Sequence, residues 1–211
     1  MSALRAGDVV QVADPVTLRS TYEPVLFFQH VERTALGRFV RARMDDGREL
    51  LATSTHVLFV SRGDVAQDVQ MRDVRVGDVL FMVRAGDAEA KPSTRVVAVD
   101  VVHRVGVFCP QTATGTLVVD GVLASCYAHR AHYAKHAAMM PMLVVARAAR
   151  TVLGRARDVP EDGLHPYLRV LAAARRVAGE SAADGALAAG AAVVRATAVF
   201  AGARASVAAG A

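Results

Sequence analysis

The chain has 211 residues, of which 53% are hydrophobic, and a formal net charge of +5. This hydrophobic share excludes a disordered chain, because burying so much apolar surface can offset the entropy lost on ordering. Two cysteines are too few for a disulfide scaffold or a zinc site of the usual Cys type. The longest uncharged apolar run, residues 137–146, is about half the ~20 residues needed to cross a bilayer.

Short β-branched and aliphatic runs alternate with turn residues over the first two thirds of the chain. Asp45-Asp46-Gly47 and Asp120-Gly121 are hairpin signals. Short strands with turn signals about every 8–12 residues predict an all-β sandwich or barrel-like fold. The predicted strands are Asp8–Val12, Pro24–Phe28, Arg38–Met44, Arg48–Ala52 and His56–Val60, followed by Val79–Val83, Arg95–Val102, Thr116–Val119 and Val122–Cys126.

The two groups of strands resemble each other. Residues 1–9 line up with residues 71–79, both ending in Gly-Asp-Val, and Val57-Leu58 has an echo in Val122-Leu123. We interpret this as a duplicated subdomain with pseudo-two-fold symmetry. The alternative is that Gly-Asp-Val is simply a common turn from loop to strand.

The periodicity changes after Ala128. Residues 129–150 predict a helix that Pro141 should break or kink. A linker at 154–163 precedes a predicted amphipathic helix that begins at Leu164 and is capped by Asp162. Residues 142–211 carry +4 of the net charge. This favours a weak membrane-surface preference over nucleic-acid binding, because no aromatic-plus-basic patch accompanies the charge.

Two stretches carry candidate catalytic residues. Thr53-Ser54-Thr55-His56 joins two predicted strands, and residues 115–128 read G-T-L-V-V-D-G-V-L-A-S-C-Y-A. Together they resemble the Hedgehog-type Hint domain, often called Hog, which cleaves itself from an upstream segment. The resemblance covers residues 1–141. It implies an all-β, pseudo-two-fold Hint fold for this domain, with residues 142–211 as an α-helical extension.

The resemblance implies a role for each matching residue. In the family, a Cys at the first position of the domain attacks the preceding carbonyl and converts an amide into a thioester. His56 would act on the scissile amide as general acid, and Thr53 would supply a positioning hydrogen bond. Cys126 matches a second family cysteine that lies near the site and can influence its redox state.

The family's nucleophilic Cys has no counterpart in these 211 residues. We expect the chain to be an N-terminally truncated fragment that cannot by itself form the thioester. The alternative is a degenerate relative that serves as a binding module. The expected partner is the protein's own upstream segment.

In the family, the thioester is resolved by the hydroxyl of a sterol, and an Asp in a Phe-x-Asp-Arg context is the base. His30 of Phe27-Phe28-Gln29-His30 stands at that position. An imidazole that titrates near pH 6.5 can accept the proton of an alcohol. The alternatives are a surface histidine at a strand end, or hydrolysis with water as the acceptor.

The C-terminal tail and three histidines are further candidates for a functional role. Residues 163–171 are faintly similar to a family segment that recognises the sterol adduct at a membrane, so the resemblance implies that the tail delivers a sterol or another alcohol. The alternative is an ordinary helix that packs on the β domain. His129, His132 and His136 are spaced for one helix face, but no Cys or carboxylate lies near them in sequence, which favours packing over metal binding. We therefore expect no metal and no cofactor. The compartment is open, and is the secretory pathway or a membrane if the chain behaves like the family.

Overall fold

The computed structural model describes residues 3–62, 65–129, 131–153 and 162–169. Strands dominate, and one long helix follows them. The strands are β1 Val9–Ala13, β2 Ser20–Pro24, β3 Phe27–Met44, β4 Glu49–Thr53, β5 His56–Arg62, β6 Val65–Gln70, β7 Val79–Met82, β8 Lys91–Gln111, β9 Thr116–Val119, β10 Val122–Ala128 and β11 Gly163–Leu164; a 3-10 helix spans Met71–Asp73 and the helix α1 spans His132–Leu153.

The sheet confirms the predicted all-β fold with a helix after it. Its strands lie in the order β11-β3-β8-β7-β10-β5-β6, with β4 paired to β3 and β9 paired to β10. β1 and β2 form a separate antiparallel pair. The main core lies among β3, β4, β5, β7, β8 and β10, where aliphatic side chains such as Leu50, Leu58 and Leu80 are almost fully buried.

The internal duplication is visible in long-range pairing. Gly7 and Gly77 both have positive φ, +102° and +96°, which glycine adopts without strain. The N–H of Gly7 donates to the carbonyl of Val25, and the N–H of Gly77 donates to the carbonyl of Val96, each at 2.8 Å. Equivalent turns thus make equivalent hydrogen bonds. The carbonyl that accepts from the first turn lies just before β3, and the carbonyl that accepts from the second lies within β8.

β3 and β8 are longer than predicted, and β8 extends the predicted strand Arg95–Val102 to Lys91–Gln111. β3 runs from Phe27 to Met44 and so joins two predicted strands. Its register against β8 shifts between Phe28 and His30, and again between Glu32 and Leu36. Such bulges let a long strand bend without ending, whereas the polar residues between the two apolar runs had predicted an end.

The helix α1 begins where the N–H of His132 donates to the Asp68 carboxylate of β6, at 2.8 Å. It continues through Pro141, so the predicted break is wrong. Its inner face buries Met139 and Leu143 against residues of β3 and β10, and this packing fixes the helix on the sheet. Within the described ranges, α1 included, no helix combines the length and apolarity needed to cross a membrane.

The start of the predicted tail helix is wrong. Leu164 lies in β11, paired with His30 of β3, and Asp162 accepts a hydrogen bond from Arg33 Nη1 at 2.7 Å. Strand pairing and this ion pair therefore replace the predicted cap. A helical turn begins only at Pro166, and the rest of the predicted helix lies outside the described residues.

Candidate active site

The turn between β4 and β5 presents the first pair of predicted site residues. Thr53 ends β4 and His56 begins β5, and both side chains are half-buried. The carbonyls of the two turn residues between them accept hydrogen bonds from the N–H groups of Arg72, at 2.9 Å, and His129, at 2.8 Å. The turn is therefore held from two sides, by the 3-10 helix and by the end of β10.

His56 bonds directly to β10. Its Nε2 lies 2.7 Å from the carbonyl oxygen of Ser125. A carbonyl only accepts, so Nε2 carries the hydrogen and Nδ1 of the neutral ring keeps a free lone pair. Burial lowers the pKa of His56, and the bond to Ser125 opposes this in part. The ring is neutral near pH 7, and its imidazolium is a stronger acid than that of an exposed histidine.

The two cysteines of the chain meet at the same place. Cys126 is buried, with Sγ 3.7 Å from the hydroxyl of Thr112, and burial raises its pKa to about 11. Cys109 Sγ donates to the carbonyl of Cys126 at 3.4 Å, and burial raises its pKa to about 12. Neither thiol is ionised near neutral pH, so neither is suited to be a nucleophile.

Sequence reasoning missed a chain of buried polar groups behind these thiols. Gln29 Nε2 donates to the carbonyl of Cys126 at 2.8 Å and to Gln111 Oε1 at 2.6 Å. Gln111 Nε2 donates to the Tyr127 hydroxyl at 3.1 Å, and this hydroxyl lies 2.8 Å from His136 Nδ1. A glutamine in the apolar run V-L-F-F-Q was the available signal, because a buried amide requires partners.

The Ser125 side chain is bonded to His132, a buried histidine. Its hydroxyl lies 3.0 Å from His132 Nδ1 and accepts the N–H of Tyr127 at 3.0 Å. Burial is the main cause that lowers the pKa of His132 to about 3, and the neighbouring His136 adds to it. The rings of His132 and His136 stack with centroids 5.7 Å apart. Both Nδ1 atoms are thus engaged, and no group of three or more metal-ligating side chains occurs in the described part of the chain.

His30 lies on β3, where it pairs with Cys109 of β8. β3 has one extra residue there, since Phe28 pairs with Pro110 while His30 pairs with Cys109. His30 Nε2 is 2.9 Å from Glu32 Oε1, and the His30 side chain is 33% exposed. The structure therefore brings His56 and Cys126 together through β10 and places His30 across β8 from them; Glu32 was not predicted.

Comparison with known proteins identifies proteins whose sequence or fold is similar to that of this chain. A profile of the Hint module matches residues 1–178. The chain is 27% identical to Warthog protein 4 of Caenorhabditis elegans, over 63% of this chain and 26% of that protein. It is 35% identical to Indian hedgehog protein of Gallus gallus, over 80% of this chain and 41% of that protein. The chain thus spans less than half the length of these relatives. Among solved structures, an intein from a hyperthermophile aligns with a TM-score of 0.48 at 14% identity, covering 56% of this chain and 70% of the other.

Proposed function

Because the chain belongs to the Hint module family, with Hedgehog and Warthog proteins among its relatives, we propose that it mediates cysteine-dependent autoprocessing of a larger precursor. The first step is an N-to-S acyl shift that forms a thioester. The second is transfer of the acyl group to an alcohol such as a sterol. The observation that carries the proposal is the 2.7 Å bond from His56 to Ser125, which joins two motifs 69 residues apart beside Cys126.

In the first step, the thiol of an upstream Cys attacks the carbonyl of the peptide bond before it. The new C–S bond forms, the C–N bond breaks, and the nitrogen gains the proton that the thiol loses. His56 can carry this proton on Nδ1, because Nε2 is engaged by Ser125. Cys109 and Cys126 are poor candidates for the attacking group, since burial keeps both thiols protonated.

In the second step, the alcohol oxygen attacks the thioester carbonyl. The C–O bond forms, the C–S bond breaks, and the alcohol proton passes to a base and then to the departing thiolate. We assign the base to His30, the partly exposed imidazole opposite Cys109. A positioned base of this kind contributes about 10²–10⁴ in rate.

The test uses a precursor form, in which a reporter and a first strand beginning with Cys precede residue 1. Dithiothreitol should release the reporter, and a sterol should release it as an ester, both followed by gel and mass spectrometry. The matched control replaces that first Cys with Ala and should release nothing. A precursor form that folds but never cleaves would contradict the proposal and favour a non-catalytic binding module.

A further inference from the structure

Glu32 is a partner of His30 to which sequence reasoning gave no role. His30 and Glu32 are two residues apart on β3, and His30 Nε2 lies 2.9 Å from Glu32 Oε1. An ionised carboxylate only accepts hydrogen bonds, so the hydrogen of the neutral ring must lie on Nε2. This leaves the lone pair of Nδ1 as the basic atom of His30.

The local backbone gives this pair a fixed setting. The bulge at Gln29 sets two residues of β3 opposite Cys109 of β8, and bulges commonly re-aim a side chain next to active sites. On its other edge, β3 pairs with β11, where Leu164 lies opposite His30. His30 is therefore held between a strand that carries a site thiol and a strand from the tail.

We propose that Glu32 is a positioning residue for alcohol transfer: it holds His30 in the Nε2–H tautomer and so makes Nδ1 the atom that takes the alcohol proton. This inference rests on the proposed function and refines its second step. The carboxylate also stabilises the imidazolium that forms when the proton arrives, and the proton then passes on to the departing thiolate. Catalytic residues are often oriented by such a carboxylate on the second ring nitrogen.

Other ionisable groups on the elements around His30 make separate interactions. Across β8, the thiol of Cys109 donates to a backbone carbonyl, and burial raises its pKa to about 12, which Lys135 of α1 opposes in part. Next to β11, Asp162 pairs with Arg33 at 2.7 Å. Among these groups, Glu32 is the anion bonded to the His30 ring.

The first test uses NMR on the 211-residue chain itself. Ring nitrogen shifts of neutral His30 should report the Nε2–H tautomer. In Glu32→Ala, which removes the acceptor from Nε2, the ring should lose this preference and show a mixture of both tautomers. The matched control is Glu49→Ala, because Glu49 is similarly exposed, 41% against 43%, but pairs with Arg41. An Nδ1–H tautomer in the parent, or an equal loss of the tautomer preference in Glu49→Ala, would overturn the assignment.

The second test uses the precursor form. Glu32→Ala should slow sterol transfer about tenfold or more, a part of what a positioned base contributes, and leave dithiothreitol cleavage within a few-fold. Glu32→Gln keeps an acceptor oxygen for Nε2–H, so it should retain more sterol transfer than Glu32→Ala. Equal loss of both reactions would show a folding role instead. If no variant, nor the parent, cleaves with dithiothreitol, the proposed function fails, while the NMR result still decides the tautomer.

Discussion

Acidification should destabilise this Hint domain through His132, the first residue of α1, whose ring is buried and bonded to Ser125. The side chain is 1% exposed, and burial lowers its pKa from 6.5 to about 3. His132 therefore binds a proton near pH 6.5 in the unfolded chain but only near pH 3 in the folded chain. The stability that the neutral ring contributes is fully present above pH 6.5 and is lost as the pH falls towards 3.

The size of the effect follows from this difference in proton binding. One proton bound only by the unfolded chain lowers the free energy of unfolding by about 1.4 kcal/mol per pH unit. Between pH 7 and pH 5, His132 alone should therefore cost on the order of 2 kcal/mol. His56 and His136 also have lowered pKa values and act in the same direction. Asp68, whose pKa is raised by burial, acts in the opposite direction.

Urea unfolding of the 211-residue chain at pH 7 and pH 5 measures this loss. His132→Gln keeps an acceptor for the Ser125 hydroxyl but does not titrate, so its loss on acidification should be smaller by about 2 kcal/mol. The control is His103→Gln, which changes an exposed histidine of β8 and should lose as much stability as the parent. Equal pH dependence in His132→Gln and the parent would refute the reasoning, because His132 would then not be the group that resists protonation.

Three further predictions concern the site and the tail. In the precursor form, His56→Ala should lower thioester formation, followed as dithiothreitol cleavage, by about 10²–10⁴, with Thr53→Ala slowing it less; parent-like cleavage in His56→Ala would remove its assignment. Deleting residues 154–211, which include β11, should leave dithiothreitol cleavage intact and abolish sterol transfer by mass spectrometry; undiminished transfer would leave the tail a structural role. Gln29→Ala removes the donor to the Gln111 amide oxygen and one of the two donors to the Cys126 carbonyl, and should lower the free energy of unfolding by about 1–3 kcal/mol in urea; an unchanged value would mean that water replaces the Gln29 amide.

The parts of the fold that the sequence predicted depend on local chemistry. Apolar runs with flanking Asp-Gly turns located β4, β9 and β10, since side-chain alternation and turn geometry act within a few residues. β6 was missed because its sequence, V-A-Q-D-V-Q, is half polar and becomes a strand by pairing with β5. β11 has two residues, too few for any periodicity, and exists because the edge of β3 pairs with it.

The candidate site, like the fold, could be predicted from the sequence only in part. Resemblance of motifs was enough to single out Thr53, His56, His30 and Cys126. The bonds that surround them join distant positions, as with Gln29 and Gln111, which are 82 residues apart. Such contacts depend on how three strands pack against each other, and a single sequence carries no signal for that packing.

The evidence for the duplication is the long-range pairing of the two halves and not the turn that recurs in the sequence. Residues 5–8, 75–78 and 84–87 all form the same Arg-x-Gly-Asp turn, in which the Asp carboxylate accepts the Arg N–H at 2.8 or 2.9 Å. The third copy follows β7 and does not begin a repeat, so the turn is favoured by local chemistry alone. The first two differ from it because their glycine N–H groups bond to the carbonyls of Val25 and Val96.

This symmetry explains why the candidate site lies where it does. β5 belongs to one half of the duplication and β10 to the other, and the two strands pair with each other, Leu58 opposite Ala124. His56 comes from the first of these strands, and the Ser125 carbonyl that it bonds comes from the second. Neither half contains both groups, so a single ancestral half could not have held the site in this form. Loss of the β5–β10 pairing should therefore separate His56 from the Ser125 carbonyl to which it bonds.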